Sequence, residues 1–143
     1  VSVLVEIAWF FAQGRLIGLT SMTRWMVIGA VAMVARMALT AGLGHWLLAL
    51  FVAQALHALT FASHHTACIA LLSEHFPGRL RGRGQALFTV IGYGVGGVLG
   101  VLVGGLLVSQ WGYRGMYAAS LGLALVATVC AWKAHKAGLQ ARR

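Results

Sequence analysis

Nine of the eleven Lys and Arg residues of this chain stand in alternate gaps between long apolar runs, and no other feature constrains its fold as strongly. Arg15 and Arg24 occupy the first gap, Arg79, Arg81 and Arg83 the third, and Lys133, Lys136, Arg142 and Arg143 the tail. The second and fourth gaps share only Arg114. Cytoplasmic loops of membrane proteins accumulate Lys and Arg, whereas translocated loops do not. The pattern therefore predicts a chain threaded back and forth through a bilayer, entering from outside and ending in the cytoplasm. The expected location is a cell membrane of the bacterial inner-membrane kind, crossed several times.

Hydropathy agrees. Only 9% of the 143 residues are charged and 60% are hydrophobic, with a mean hydropathy of +0.86, whereas a soluble domain carries about a quarter charged residues. The net charge of +9 is divided among separate loops rather than gathered on one face. It points to anionic lipid headgroups as counter-charge and away from nucleic acid. Cys68 and Cys130 both lie inside apolar runs, so no disulfide framework is implied. The start at Val1 has no initiator Met, basic n-region or cleavage site, and reads as a cut rather than a signal peptide.

Five membrane helices are expected, at 1–13, 25–43, 46–72, 85–108 and 116–132, with 133–143 as a basic cytoplasmic tail. The fold class is all-α, a polytopic helical bundle. A spanning segment must satisfy its own backbone hydrogen bonds, and these runs show none of the period-two alternation of a barrel strand. The first run is expected to be truncated, because it falls short of the roughly 20 apolar residues that a crossing needs. Pro77 sits in the third gap, where a helix stop belongs. Trp25, Trp46, Trp111 and Trp132 fall at expected helix ends, the headgroup level that indoles favour.

The fourth run carries Gly92, Gly96, Gly100 and Gly104 at four-residue spacing. Four residues is close to one helical turn, so these glycines predict a groove along one face where another helix backbone can approach. Two readings stand side by side: static close packing, and a sliding contact between two halves of a transporter.

Ionisable groups are costly in hydrocarbon, yet several fall there. At a rise of roughly 1.5 Å per residue, Arg36 and His57 lie about 16 Å from their helix ends, His64 and Tyr93 about 12 Å, and Glu6 about 10 Å. All converge on one central slab. On the third helix Gln54, His57, Phe61, His64 and Cys68 follow at spacings of three and four, which places them on one stripe. A polar stripe through a membrane helix most simply lines a wet cavity. His65 falls off the centre of that stripe and reads as structural. A structural Glu6–Arg36 ion pair and interhelical packing by His57 and His64 are the plainer alternatives. His64, His65 and Cys68 have the residue types of a metal site but no fourth ligand nearby in sequence, so no metal and no cofactor is expected. The glycine-rich GYGVGG lies within a membrane run rather than after a strand, which excludes a dinucleotide fingerprint. No soluble-enzyme motif is present.

The segments EIAWFFAQGRL, LHALTFASHH and SEHFPGRLRGRGQALFTVIGYGVGGVLG closely resemble the C-terminal half of major facilitator superfamily transporters. The branch they resemble most is the 3-phenylpropionate and nucleoside or oligosaccharide proton symporters, akin to lactose permease. The resemblance implies twelve helices in two six-helix halves, of which this chain would supply helices eight to twelve, and the N-terminal half of the transporter as its missing partner. It also implies an acid, an arginine and a histidine on helices eight, nine and ten for coupling, and Glu6, Arg36 and His57 occupy matching helices. Lactose permease has a second carboxylate three residues after its histidine, where this chain has Thr60. The resemblance implies that helix eleven packs across the interface between halves, which suits the glycine groove.

The expected function is therefore proton-coupled secondary transport of a small organic solute, such as an aromatic acid, nucleoside or sugar, by alternating access. Glu6, Arg36 and His57 are the expected coupling residues, and Arg36, Gln54, His57, Phe61, His64 and Tyr93 the expected substrate contacts. A uniporter or antiporter of the same fold, a non-transporting sensor or assembly subunit, and an intramembrane metalloenzyme are the other classes weighed. These residues by themselves are not expected to transport.

Overall fold

A computed structural model describes residues 2–140; Val1, Ala141, Arg142 and Arg143 lie outside the described residues. Every element is helical. Helix α1 spans Ser2–Leu16, α2 spans Met22–Leu43, α3 spans Leu47–His75 and α4 spans Gly78–Gln140. The last three are long and apolar enough to cross a membrane.

The boundaries follow local chemistry. Ser21 caps α2, its hydroxyl accepting from the Arg24 amide at 3.3 Å, so the helix begins three residues before the expected 25. Helix α3 closes where the Phe76 amide donates to the Leu72 carbonyl at 2.8 Å, ahead of Pro77. Gly78, at φ 61°, then turns the chain into α4. Helical structure continues through Gln140, so 133–140 of the expected basic tail extends α4.

Gly112 divides α4 into two arms. Its φ of 67° and ψ of −179° lie outside the helical region, a combination open to glycine. Gly96 and Leu123 line one groove, although a straight helix would hold them about 40 Å apart. The arms 81–111 and 113–140 therefore fold back on each other. The second arm runs antiparallel to α2, tied near one end by Thr23 Oγ1 and His135 Nδ1 at 2.8 Å and at the other by Arg114 Nε donating to the Ala41 carbonyl at 3.2 Å.

The interior is built from small side chains. Ala32, Ala49, Ala53, Ala58, Ala62, Ala67 and Ala124 are buried with Thr60 and Ser63, while most of the large Leu, Val, Ile and Phe side chains face outward. That inversion of a soluble core is what a lipid solvent favours, because close backbone approach replaces the hydrophobic effect as the source of association. At Gly29 of α2, an added Cβ would stand 3.3 Å from the Leu59 carbonyl oxygen and 3.6 Å from His64 Cβ of α3. Trp46, Trp111 and Trp132 are largely exposed. Trp25 departs from the expected anchor role: it is buried, set edge-on against Trp9 at 5.4 Å, with Nε1 donating to the Ile17 carbonyl at 3.4 Å.

Candidate functional site

Two stretches depart from α-helical pitch. Ala58–Ser63 of α3 and Thr89–Val95 of α4 are π-helical, with wider turns. Hydroxyls cluster along the first. Thr60 Oγ1 donates to the His57 carbonyl at 3.1 Å, Ser63 to the Leu59 carbonyl, and Thr66 to the Ala62 carbonyl at 2.8 Å. Such back-bonding offers carbonyls a partner other than the usual amide and loosens the regular ladder. Thr89 does the same for the second stretch, donating to Gln85 at 3.0 Å.

Three helices meet at His57. Glu6 Oε1 of α1 lies 3.0 Å from its Nε2, and an Arg36 terminal nitrogen of α2 lies 2.8 Å from its Nδ1. The protonation pattern follows from the donor inventory. A guanidinium can only donate, so Nδ1 must accept; the ring proton then sits on Nε2 and is donated to the Glu6 carboxylate. His57 is thus a neutral bridge between an anion and a cation. The direct Glu6–Arg36 ion pair weighed from the sequence is replaced by this relay. Thr60 is buried and donates its hydroxyl to the His57 carbonyl.

Beside the relay runs an aromatic ladder. His57 stacks on Phe61 at 5.5 Å between centroids and Phe61 on His65 at 6.1 Å. Tyr93, from the second π-helical stretch, meets Phe61 at 6.0 Å, and its hydroxyl is 2.9 Å from His65 Nδ1. Phe88 closes the cluster against Tyr93 at 5.6 Å. Phe61 and Tyr93 keep an open side, so the ladder presents flat rings next to a paired cation and anion.

Comparison with known proteins now adds a family. Residues 1–119 match the profile described as the MFS_1 like family. This chain belongs to that family. Members of the major facilitator superfamily are membrane transporters and not enzymes, and the three apolar helices long enough to cross a membrane agree with a membrane-embedded member of that family. The chain is also similar to multidrug resistance protein Stp of Mycobacterium tuberculosis, 31% identical over 126 residues that cover 85% of this chain and 23% of Stp. The chain thus spans about a quarter of that relative's length. No solved structure matches. These matches reach the superfamily and do not single out the lactose permease-like branch.

Within this MFS chain the expected site residues divide. Glu6, Arg36, His57, Phe61 and Tyr93 are brought together. Gln54, one turn before His57, is exposed and makes no hydrogen bond to the relay. His64 turns the other way: its Nε2 is 3.4 Å from Cys68 Sγ and its Cβ abuts Gly29. His65 takes the place expected for His64, because a π-helical turn holds about 4.4 residues rather than 3.6 and carries the face onto the next residue. Of the glycines, Gly96, Gly100 and Gly104 line the groove of about 350 Å³ between the two arms of α4, and Gly92 lies beside its own helix's Phe88.

Proposed function

We propose that this chain contributes the C-terminal helices of a proton-coupled secondary transporter for a small organic anion, working by alternating access. The observation that carries the reading is His57 held between Glu6 at 3.0 Å and Arg36 at 2.8 Å. A proton arriving at Nδ1 would turn the acceptor facing Arg36 into a donor. The guanidinium would then lose its partner and become free for a substrate carboxylate. A proton arriving at Glu6 would remove the charge that orients the imidazole. Either event links proton arrival to exposure of a cation beside the Phe61 and Tyr93 rings, a setting for an aromatic acid. Nucleosides and sugars are the other small solutes compatible with the lactose permease-like branch that the quoted segments resemble.

The proposed topology counts the two arms of α4 as separate crossings, giving five, with the first short and the C-terminus in the cytoplasm. Alternate basic gaps support that direction. The opposite wall of the cavity would come from the N-terminal half, and the surrounding membrane would be a bacterial inner membrane. Moving one charge through 100 mV supplies about 2.3 kcal/mol, enough to drive accumulation.

A second reading, efflux in exchange for protons, is favoured by the similarity to a protein named for multidrug resistance. In that case the proton still runs down its gradient while the solute moves the other way, and proton and solute would occupy the Glu6–His57–Arg36 relay alternately rather than together.

The test uses the complete transporter in proteoliposomes. Glu6→Gln is expected to abolish accumulation driven by an imposed proton gradient while leaving downhill exchange in place. Wild-type accumulation by Glu6→Gln would remove Glu6 from coupling. Inward versus outward proton gradients separate symport from exchange, and the absence of any solute-dependent proton movement would favour a sensor or assembly subunit.

A further inference from the structure

The bundle end opposite the arginine-rich Arg79–Arg83 turn holds a cavity of about 510 Å³ where the end of α2, the start of α3 and the Gly112 bend of α4 meet. That volume lies within the roughly 300 to 1,000 Å³ of small-molecule pockets. Its polar lining comes from Thr40, His45, Tyr113, Arg114 and Tyr117. We infer that this cavity is an oxyanion site, taking a carboxylate or a phosphate, with Arg114 as its cation and Tyr113, Tyr117 and His45 as hydrogen-bond partners.

Charge balance carries the inference. The chain has two acidic residues, Glu6 and Glu74. Glu6 is engaged by His57, and Glu74 stands near the far end of α3, beside the arginine-rich turn. No described residue that lines the cavity is a carboxylate, so among the described residues Arg114 has no counter-charge there.

Geometry sharpens the point. Arg114 Nε is spent on the Ala41 carbonyl at 3.2 Å, which fixes one edge of the guanidinium. Its two terminal nitrogens have no hydrogen bond among the described residues, and a planar fork of N–H groups suits two oxygens of one oxyanion. The remaining oxygens would find the two phenols and the imidazole. Thr40 is not free to donate, because its hydroxyl is given to the Arg36 carbonyl at 2.9 Å. That same bond places the cavity one helical turn from Arg36. Two sources share this chemistry: a soluble organic or inorganic anion, and the phosphodiester of a lipid headgroup.

The experiment separates them without relying on transport. The complete transporter, purified in maltoside detergent and stripped of lipid, is titrated by equilibrium dialysis with labelled benzoate and with inorganic phosphate. A parallel sample is offered phosphatidylglycerol or diacylglycerol and read by native mass spectrometry. Saturable benzoate or phosphate binding identifies a soluble ligand; selective retention of phosphatidylglycerol identifies a headgroup. In either case Arg114→Gln is expected to weaken binding by about tenfold or more, the loss of one charge-assisted pair. If Arg114→Gln does not keep its helical circular dichroism, the double variant Tyr117→Phe with His45→Gln is read instead, with about fivefold weakening expected. No binding of any of the three probes, or binding by the variant equal to wild type, overturns the site.

Discussion

His64 and His65 are consecutive residues of α3 with opposite fates. His64 is pressed toward α2, with its Cβ against Gly29 and its Nε2 near Cys68, on a face closed by small side chains. His65 stacks on Phe61 and bonds Tyr93, on a face that stays open. One face is held by shape and the other by directional polar and aromatic contacts. The difference teaches where change is affordable in this bundle: the closed face has no slack for volume, while the open face can trade one hydrogen-bond partner for another.

The sharpest way to break the comparison is to add volume on the closed side. Gly29→Leu would drive a side chain into the Leu59 carbonyl, where even a Cβ stands at 3.3 Å. We expect a loss of about 3 kcal/mol, read as a lowered midpoint of thermal unfolding in detergent. A variant as stable as wild type would mean that α2 and α3 are free to separate. Next in size is the open side's strongest contact. Arg36→Leu removes the charge-assisted bond to His57 Nδ1 and should cost about 2 kcal/mol. It also releases the imidazole tautomer, which nitrogen NMR of His57 can follow. Wild type is expected to show the proton on Nε2, and Arg36→Leu a mixture; an unchanged single tautomer would show that Glu6 alone fixes the ring.

Much of this was legible in the sequence, and the reason is that lipid leaves little choice. Apolar runs and alternate basic gaps mark helices and their ends, and Glu6, Arg36 and His57 declare themselves because charge is rarely placed in hydrocarbon. The rest was hidden by pitch. A stripe drawn at spacings of three and four assumes 3.6 residues per turn, and the π-helical turn Ala58–Ser63 breaks that assumption, exchanging His64 for His65. The hydroxyls of Thr60, Ser63 and Thr66 were the available signal, since three back-bonding side chains within seven residues strain a regular ladder. The glycine spacing marks a smooth face but not its partner: Gly96, Gly100 and Gly104 line a groove whose other wall is the second arm of the same α4. Trp25 looked like an interfacial ring by position alone, whereas Trp9, one residue type among many on a short run, turns it inward.

A smaller effect is expected across the open side. Tyr93→Phe keeps the ring contacts with Phe61 and Phe88 and deletes the hydroxyl that meets His65 at 2.9 Å. The cost should be about 1 kcal/mol, the net worth of one neutral hydrogen bond. Thermal unfolding measures it. A loss several times larger would mean that this bond, rather than the aromatic stacking, holds the two π-helical stretches together.

The smallest change is expected on the closed side, from Cys68→Ala. The thiol is a weak donor, and its 3.4 Å contact with His64 is the only side-chain hydrogen bond that His64 makes among the described residues. If shape holds this face, removing the sulfur leaves a void smaller than a water molecule and an imidazole nitrogen without a partner, for a total near 1 kcal/mol or below. A loss above about 3 kcal/mol would contradict that account. It would show that the His64–Cys68 contact is a buried polar link in its own right, and both faces of α3 would then be held by side-chain chemistry, with only Gly29 left to represent packing.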